Sequence, residues 1–155
     1  MMQSDHSMSS MKGAQQIVPN LPTPDSDTRA FWTGGLNDAL LITKCQDCAL
    51  YIHPPAPVCR HCQSQSVLPE PVSGAALLFS FSVNFQQWDP CVPVPFVIAV
   101  VELVEQSGLR LTTQLVGLAE QEIQIGMPLQ VVFEPHGEVA LPHFTRRNPP
   151  ASNST

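Results

Sequence analysis

The sequence predicts a mainly β chain: a short N-terminal helical segment, a metal-stapled cysteine region and a small five-stranded barrel. Three observations carry that expectation. Proline is abundant, at 16 residues, and charge is scarce, at 13%, which disfavours long exposed helices. Four cysteines fall in two C-x-x-C pairs with ten residues between them. Beyond them, short apolar or alternating runs are punctuated by turn residues, the signature of successive strands.

The 155 residues suffice for one ordinary domain or two very small ones. The formal net charge of −6 disfavours a generic binder of phosphate backbones, which needs cations to displace counterions. No apolar run approaches the roughly 20 residues that span a bilayer, and residues 1–13 lack the apolar core of a secretory signal. The expectation is a soluble, cytoplasmic chain.

Residues 1–25 are rich in Ser, Met, Gln and Pro without a period, and read as a tail. Residues 26–41 are the helical segment. Asp27 or Thr28 can cap it, and Phe31, Trp32, Leu36, Leu40 and Leu41 fall roughly on one face, with Gly34 and Gly35 interrupting. Residues 42–69 hold the cysteines. Residues 145–155, with Pro149 and Pro150, read as a second tail.

Residues 70–144 form the predicted barrel. Phe79, Phe81, Val83 and Phe85 alternate with polar residues, a half-buried strand. Residues 96–104 are almost continuously apolar. Leu109, Leu111, Thr113 and Leu115 alternate again, as do residues 129–133, and Gly137 turns the chain into residues 139–144. Residues 117–124 form a connector between the third and fourth strands. Five short strands favour closure, because a closed sheet has no edges. The OB-fold is a five-stranded barrel of this size; an SH3-like barrel and a small sandwich are the alternatives the pattern leaves open.

The cysteines carry the chemistry. Cys45-Gln46-Asp47-Cys48 and Cys59-Arg60-His61-Cys62 each place two sulfurs on one ion from a tight turn. Together they supply the closed tetrahedral shell of a structural zinc ion, and the same ligands accept iron. Disulfides and a redox dithiol are the competing readings, disfavoured by the presumed reducing compartment and by the matched pairs. His53 and His61 are nearby substitutes for a thiolate. Lys44, Arg60 and His61 stand where they can offset the thiolate charge. Ala49 and Gln63 occupy the place after each pair where glycine is common, because the backbone there tends to positive φ. Cys91 stands apart beside Pro90 and reads as a packed or partly exposed thiol.

In order, the chain shows Phe31-Trp32-x-Gly34, the two cysteine pairs around Pro54-Pro55, and Gly74 before an aromatic strand. There follow Pro95-Phe96-Val97-Ile98-Ala99-Val100-Val101-Glu102-Leu103, Leu115-Val116-Gly117, and Ile125-Gly126-Met127-Pro128-Leu129-x-Val131-x-Phe133. This series resembles a family with a rubredoxin-like zinc ribbon and a C-terminal OB-fold, long catalogued as a domain of unknown function. Its members accompany thiolase-like and other acyl-CoA enzymes of steroid side-chain breakdown, aromatic degradation and the archaeal mevalonate route. The resemblance covers about residues 30–144. It implies a non-catalytic accessory subunit that stabilises a thiolase or thiolase-like aldolase partner and helps frame the acyl-CoA passage. Cys45, Cys48, Cys59 and Cys62 carry over as metal ligands. No catalytic residue carries over.

The residues bear on three functions. For an accessory subunit, Phe31 and Trp32 are candidate anchors for a partner, and Arg146 and Arg147 form a basic pair that can meet a CoA phosphate. Single-stranded nucleic-acid binding is the alternative for an OB barrel. Against it, residues 71–144 hold one basic residue, Arg110, and seven acidic ones. Autonomous acyl-CoA catalysis is the third, and no sequence-local nucleophile–base motif supports it.

Overall fold

The computed structural model describes residues 20–148, and near its start Asp25 organises a turn. Its Oδ1 accepts the backbone N–H of Thr28 at 2.8 Å, that of Asp27 at 3.0 Å and the Thr28 hydroxyl at 2.7 Å. Asp25 thus closes the turn that leads into the helix; Thr28 occupies the helix N-cap, but its side chain makes no capping bond there. Helix α1 (Arg29–Gly34) and a 3-10 turn (Gly35–Asn37) follow. The helix is far shorter than residues 26–41. A Cβ on Gly35 would overlap the ring of Phe133, so the backbone must run directly against the barrel there. Asp38 then adopts a left-handed φ of 56° and turns the chain. Leu40 and Leu41 belong to a strand, and Leu36 faces solvent. The tail predicted for residues 1–25 falls largely outside the described residues.

Strand β1 (Leu40–Cys45) lies between β2 (Tyr51–Ile52) and β3 (Val67–Val72), antiparallel to both. Its two ends serve different cores. Leu40 and Ile42 pack into the barrel interior, whereas Cys45 joins Ile52 and Cys59 in a small separate cluster. Lys44 pairs with Glu70 at 3.0 Å, so its charge is directed across the sheet and not at the sulfurs.

Five strands close the barrel: β4 (Ala75–Asn84), β5 (Phe96–Leu103), β6 (Arg110–Leu115), β7 (Pro128–His136) and β8 (Val139–Arg146). Their order is β4-β5-β6-β8-β7, with β7 returning to β4. Contacts are antiparallel except the β6–β8 closure, which is parallel at Leu115 and Phe144. That circuit is the OB-fold. Leu78, Val101, Leu103, Leu111, Leu129 and Phe144 fill the interior, and Phe31 from α1 joins the same core. A short 3-10 turn (Glu120–Glu122) is the connector between β6 and β7. Strand β8 runs through Arg146, so the chain at residue 145 is still sheet and not tail.

The expected phase of β4 fails at one residue. Leu78 pairs with Val101 and Ser80 with Val100, leaving Phe79 as an extra residue in a bulge. Phe79 consequently points outward and is 47% exposed. Phe81 and Val83 do pack on the core, but Phe85 lies past the strand end in solvent. Outside, the Arg110 guanidinium covers the Phe79 ring at 3.5 Å and bonds Glu102 at 2.9 Å.

The ribbon is clasped to the barrel by the turn between β5 and β6. The Gln106 amide makes a two-bond clamp on the Tyr51 backbone: its Oε1 accepts the Tyr51 N–H at 2.9 Å, and its Nε2 donates to the Tyr51 carbonyl at 3.1 Å. Next to it, Glu105 Oε1 accepts the N–H and hydroxyl of Ser73 at 2.7 and 2.6 Å. Among the described residues no helix is long and apolar enough to cross a membrane. Replacing Gln106 by Ala removes both clamp bonds and should lower stability by about 1–2 kcal/mol. Urea denaturation measures the loss, and hydrogen exchange should accelerate at the Tyr51 amide.

Candidate metal centre

Two tight turns build the centre. Cys45 ends β1, and its carbonyl accepts the Ala49 N–H at 3.0 Å. Cys59 repeats the pattern, with its carbonyl accepting the Gln63 N–H at 2.9 Å. Both Ala49 and Gln63 sit at φ 61°, the left-handed conformation expected after each pair. The turns face each other. All four sulfurs lie within 4.8 Å of one another, with Cys45–Cys62 at 3.5 Å and Cys48–Cys59 at 3.6 Å.

The donor set fits a metal. Four thiolates bound at about 2.3 Å would form a tetrahedron with edges of about 3.8 Å, close to the spacings present. Cys45 and Cys59 are buried, and Cys62 is the exposed member. Backbone N–H groups favour the thiolate form in the buried pair. The Cys48 N–H holds Cys45 below its ordinary range against the opposing effect of burial, and the Cys62 N–H brings Cys59 down to about 6. Cys48 moves the other way, to about 12: the Leu50 N–H lowers it, but burial and the neighbouring sulfurs prevail. Four negative sulfurs at this spacing repel one another, and a divalent cation reverses that repulsion. With four sulfurs around one ion no position is left open, so the centre is structural.

The other predicted residues lie elsewhere. Phe31 is buried in the chain's own core, edge-on to Trp32 at 4.8 Å. Trp32 remains half-buried and lines a cleft of 360 Å³ with His53, Pro54 and Arg110. Arg146 and Arg147 line a different cleft of 440 Å³ beside Glu122, where Arg146 donates to the Glu122 carbonyl at 2.9 Å. The aromatic pair and the basic pair therefore do not share a site. In the sequence Arg110 stands only as a solitary cation of residues 71–144, with no local signal that places it beside Trp32. His53 packs on Phe31 at 4.9 Å, and neither it nor His61 belongs to the sulfur cluster.

Comparison with known proteins converges on the same two units. Residues 32–67 match the model of the ChsH2 rubredoxin-like zinc ribbon domain, and residues 69–134 that of the ChsH2 C-terminal OB-fold domain. A DUF35 domain-containing scaffold protein of Methanocaldococcus jannaschii is 30% identical over 61% of this chain and 67% of its own length. The chain belongs to the ChsH2/DUF35 family. In a solved structure titled Ltp2-ChsH2(DUF35) aldolase, one chain superposes with a TM-score of 0.74 at 33% identity, over 81% of this chain and 98% of that one. A 3-oxo-4,17-pregnadiene-20-carboxyl-CoA hydratase alpha subunit of Mycobacterium tuberculosis is 36% identical over 72% of this chain. A probable enoyl-CoA hydratase alpha subunit of Thermomonospora curvata is 38% identical over 74%. The chain spans about a third of the length of these last two relatives. As a member of the family it carries a zinc ribbon whose clustered cysteines support a structural metal.

Two predictions follow from this geometry. Ala49→Gly and Gln63→Gly should each stabilise the metal-loaded protein by about 1 kcal/mol, because glycine adopts the left-handed turn without the Cβ penalty; thermal melts measure it. His53 is held near pKa 4 by burial. The unfolded chain takes up this proton from about pH 6.5 downward and the folded chain only near 4, so stability falls as pH drops through that window. The full loss is on the order of 3 kcal/mol. His53→Phe should flatten the stability profile between pH 7 and 4, read by denaturation at a series of pH values.

Proposed function

We propose that this chain is a non-catalytic accessory subunit of a thiolase-like acyl-CoA enzyme complex. Cys45, Cys48, Cys59 and Cys62 hold one structural zinc ion. The zinc-stapled ribbon, fixed to the barrel by Gln106, is a rigid knob that docks on the catalytic partner. The barrel then borders the substrate entrance, and turnover and specificity belong to the partner. The observation that carries this reading is the closed quartet of sulfurs on a ribbon clasped to its barrel. The correspondence of 81% of this chain with 98% of a chain of the Ltp2-ChsH2(DUF35) aldolase supports it, as do the scaffold names of the archaeal relatives. Trp32 is the aromatic contact retained for the partner or its acyl-CoA. Phe31 supports it from behind, while Arg146 and Arg147 are a separate contact.

Affinity purification from native extract should recover a thiolase-like chain with this protein and zinc at one per chain. Cys48→Ala should lose the metal and the partner together. A variant that assembles normally without metal would show that the ribbon is not the docking element. Turnover of an acyl-CoA by the purified chain alone would overturn the non-catalytic assignment.

A further inference from the structure

The loop between β4 and β5 carries the two most exposed large apolar side chains among the described residues. Phe85 is 67% exposed and Trp88 78%. The loop is held in shape by its own hydrogen bonds. Asn84 grips its start: Nδ2 donates to the Gln86 carbonyl at 2.7 Å, and Oδ1 accepts the Trp88 indole N–H at 3.2 Å. Gln87 Nε2 ties the middle to the end, donating to the carbonyls of Asp89 at 2.7 Å and Val92 at 2.6 Å. Asp89 Oδ1 accepts the Cys91 N–H at 2.8 Å. The indole is therefore oriented while most of its ring stays in water, which leaves it less freedom to lose on binding. Asp89 is the only charged residue between positions 75 and 101. Ile98, on β5 opposite Ser82, adds a 42% exposed side chain two pairs from the loop.

We propose that Phe85 and Trp88 form a second anchor for the catalytic partner, with Trp88 entering an apolar pocket on a protein surface that has a basic rim. The inference rests on the accessory-subunit reading and adds to it a contact remote from the ribbon. The loop and the Gln106 clamp stand at opposite ends of the eight-residue strand β5, roughly 25 Å apart at the rise of a strand. Trp is the residue most favoured at the energetic centre of an interface. Area favours a partner that also meets another part of the chain. Two aromatics bury at most about 500 Å², short of the roughly 800 Å² that each side of a stable complex covers, so two copies joined through the loop alone fall short. Charge points the same way. Residues 71–144 hold seven acidic side chains and one basic one, which repels a second copy and an anionic membrane alike, and the complementary surface is basic.

The test titrates the full chain by calorimetry with the thiolase-like chain that co-purifies with it. Trp88→Ala should weaken binding by about 30-fold or more, with the ribbon metal and the melting temperature unchanged. Asn84→Ala, which frees the indole, should weaken it by a smaller factor. Fluorine magnetic resonance on the chain labelled with 5-fluorotryptophan supplies a second measure. The Trp88 signal, identified by its loss in Trp88→Phe, should shift when the partner saturates the chain. Equal affinity of the native and Trp88→Ala chains, or a Trp88 signal that stays in place, overturns the proposal and leaves the accessory-subunit reading standing. A native chain that binds no thiolase-like chain overturns both. Binding to phosphatidylcholine vesicles, or self-association, that is lost in Trp88→Ala gives the loop another occupant and overturns the proposal as well.

Discussion

Four sulfurs brought within 4.8 Å of one another are poor neighbours until a cation joins them. The ribbon around them has only Ile52 and the two buried cysteines as its own buried core, with a few half-buried residues about it. Apolar burial on that scale cannot order some 25 residues against their conformational entropy. Metal ligation is the term that closes the difference. The rest of the ribbon is arranged to make it possible. The backbone amides point inward at the buried sulfurs, Ala49 and Gln63 accept an unfavourable conformation so that the turns can close, and β1 delivers Cys45 from a strand rooted in the barrel.

That division of labour explains how the two cores coexist in one small chain. The barrel is stabilised by ordinary apolar packing and by closure of its sheet. The ribbon is stabilised by coordination. Their joint combines both: Leu40 and Ile42 of β1 lie in the barrel core, the Gln106 amide pairs with the Tyr51 backbone as a neighbouring strand would, and Glu105 holds the link at Ser73. The directional bonds add a fixed orientation to the apolar contact. The family's zinc ribbon and OB-fold are thus presented to any partner as one shaped surface.

Much of this was legible in the residues. The cysteine spacing gave the sulfur cluster, and apolar alternation, one continuous apolar run and the turn at Gly137 placed the five barrel strands near their observed positions. The left-handed turns at Ala49 and Gln63 followed from the usual place of glycine. The failures share one cause, which is that tertiary contacts override local pattern. Phe79 kept perfect alternation with Phe81, yet a bulge opposite Val100 turned it outward. The helical run toward Leu41 was cut short because Gly35 must lie against Phe133, nearly a hundred positions away. Asp25 closed the turn from three residues ahead of the N-cap. Gln106 gave no local signal, since a lone glutamine in a turn acquires its role only from the strand it meets.

Phe31 lies on the first helix of the described residues, yet one of the two strands that helix rests on is the last of them. Helix α1 rests on β1 and β8, and the following 3-10 turn rests on β7 and β8. During synthesis from the N-terminus, the sulfur turns can therefore emerge and close long before β8 exists. Part of the cover over the aromatic pair at Phe31 and Trp32 is laid down only once β8 has been made.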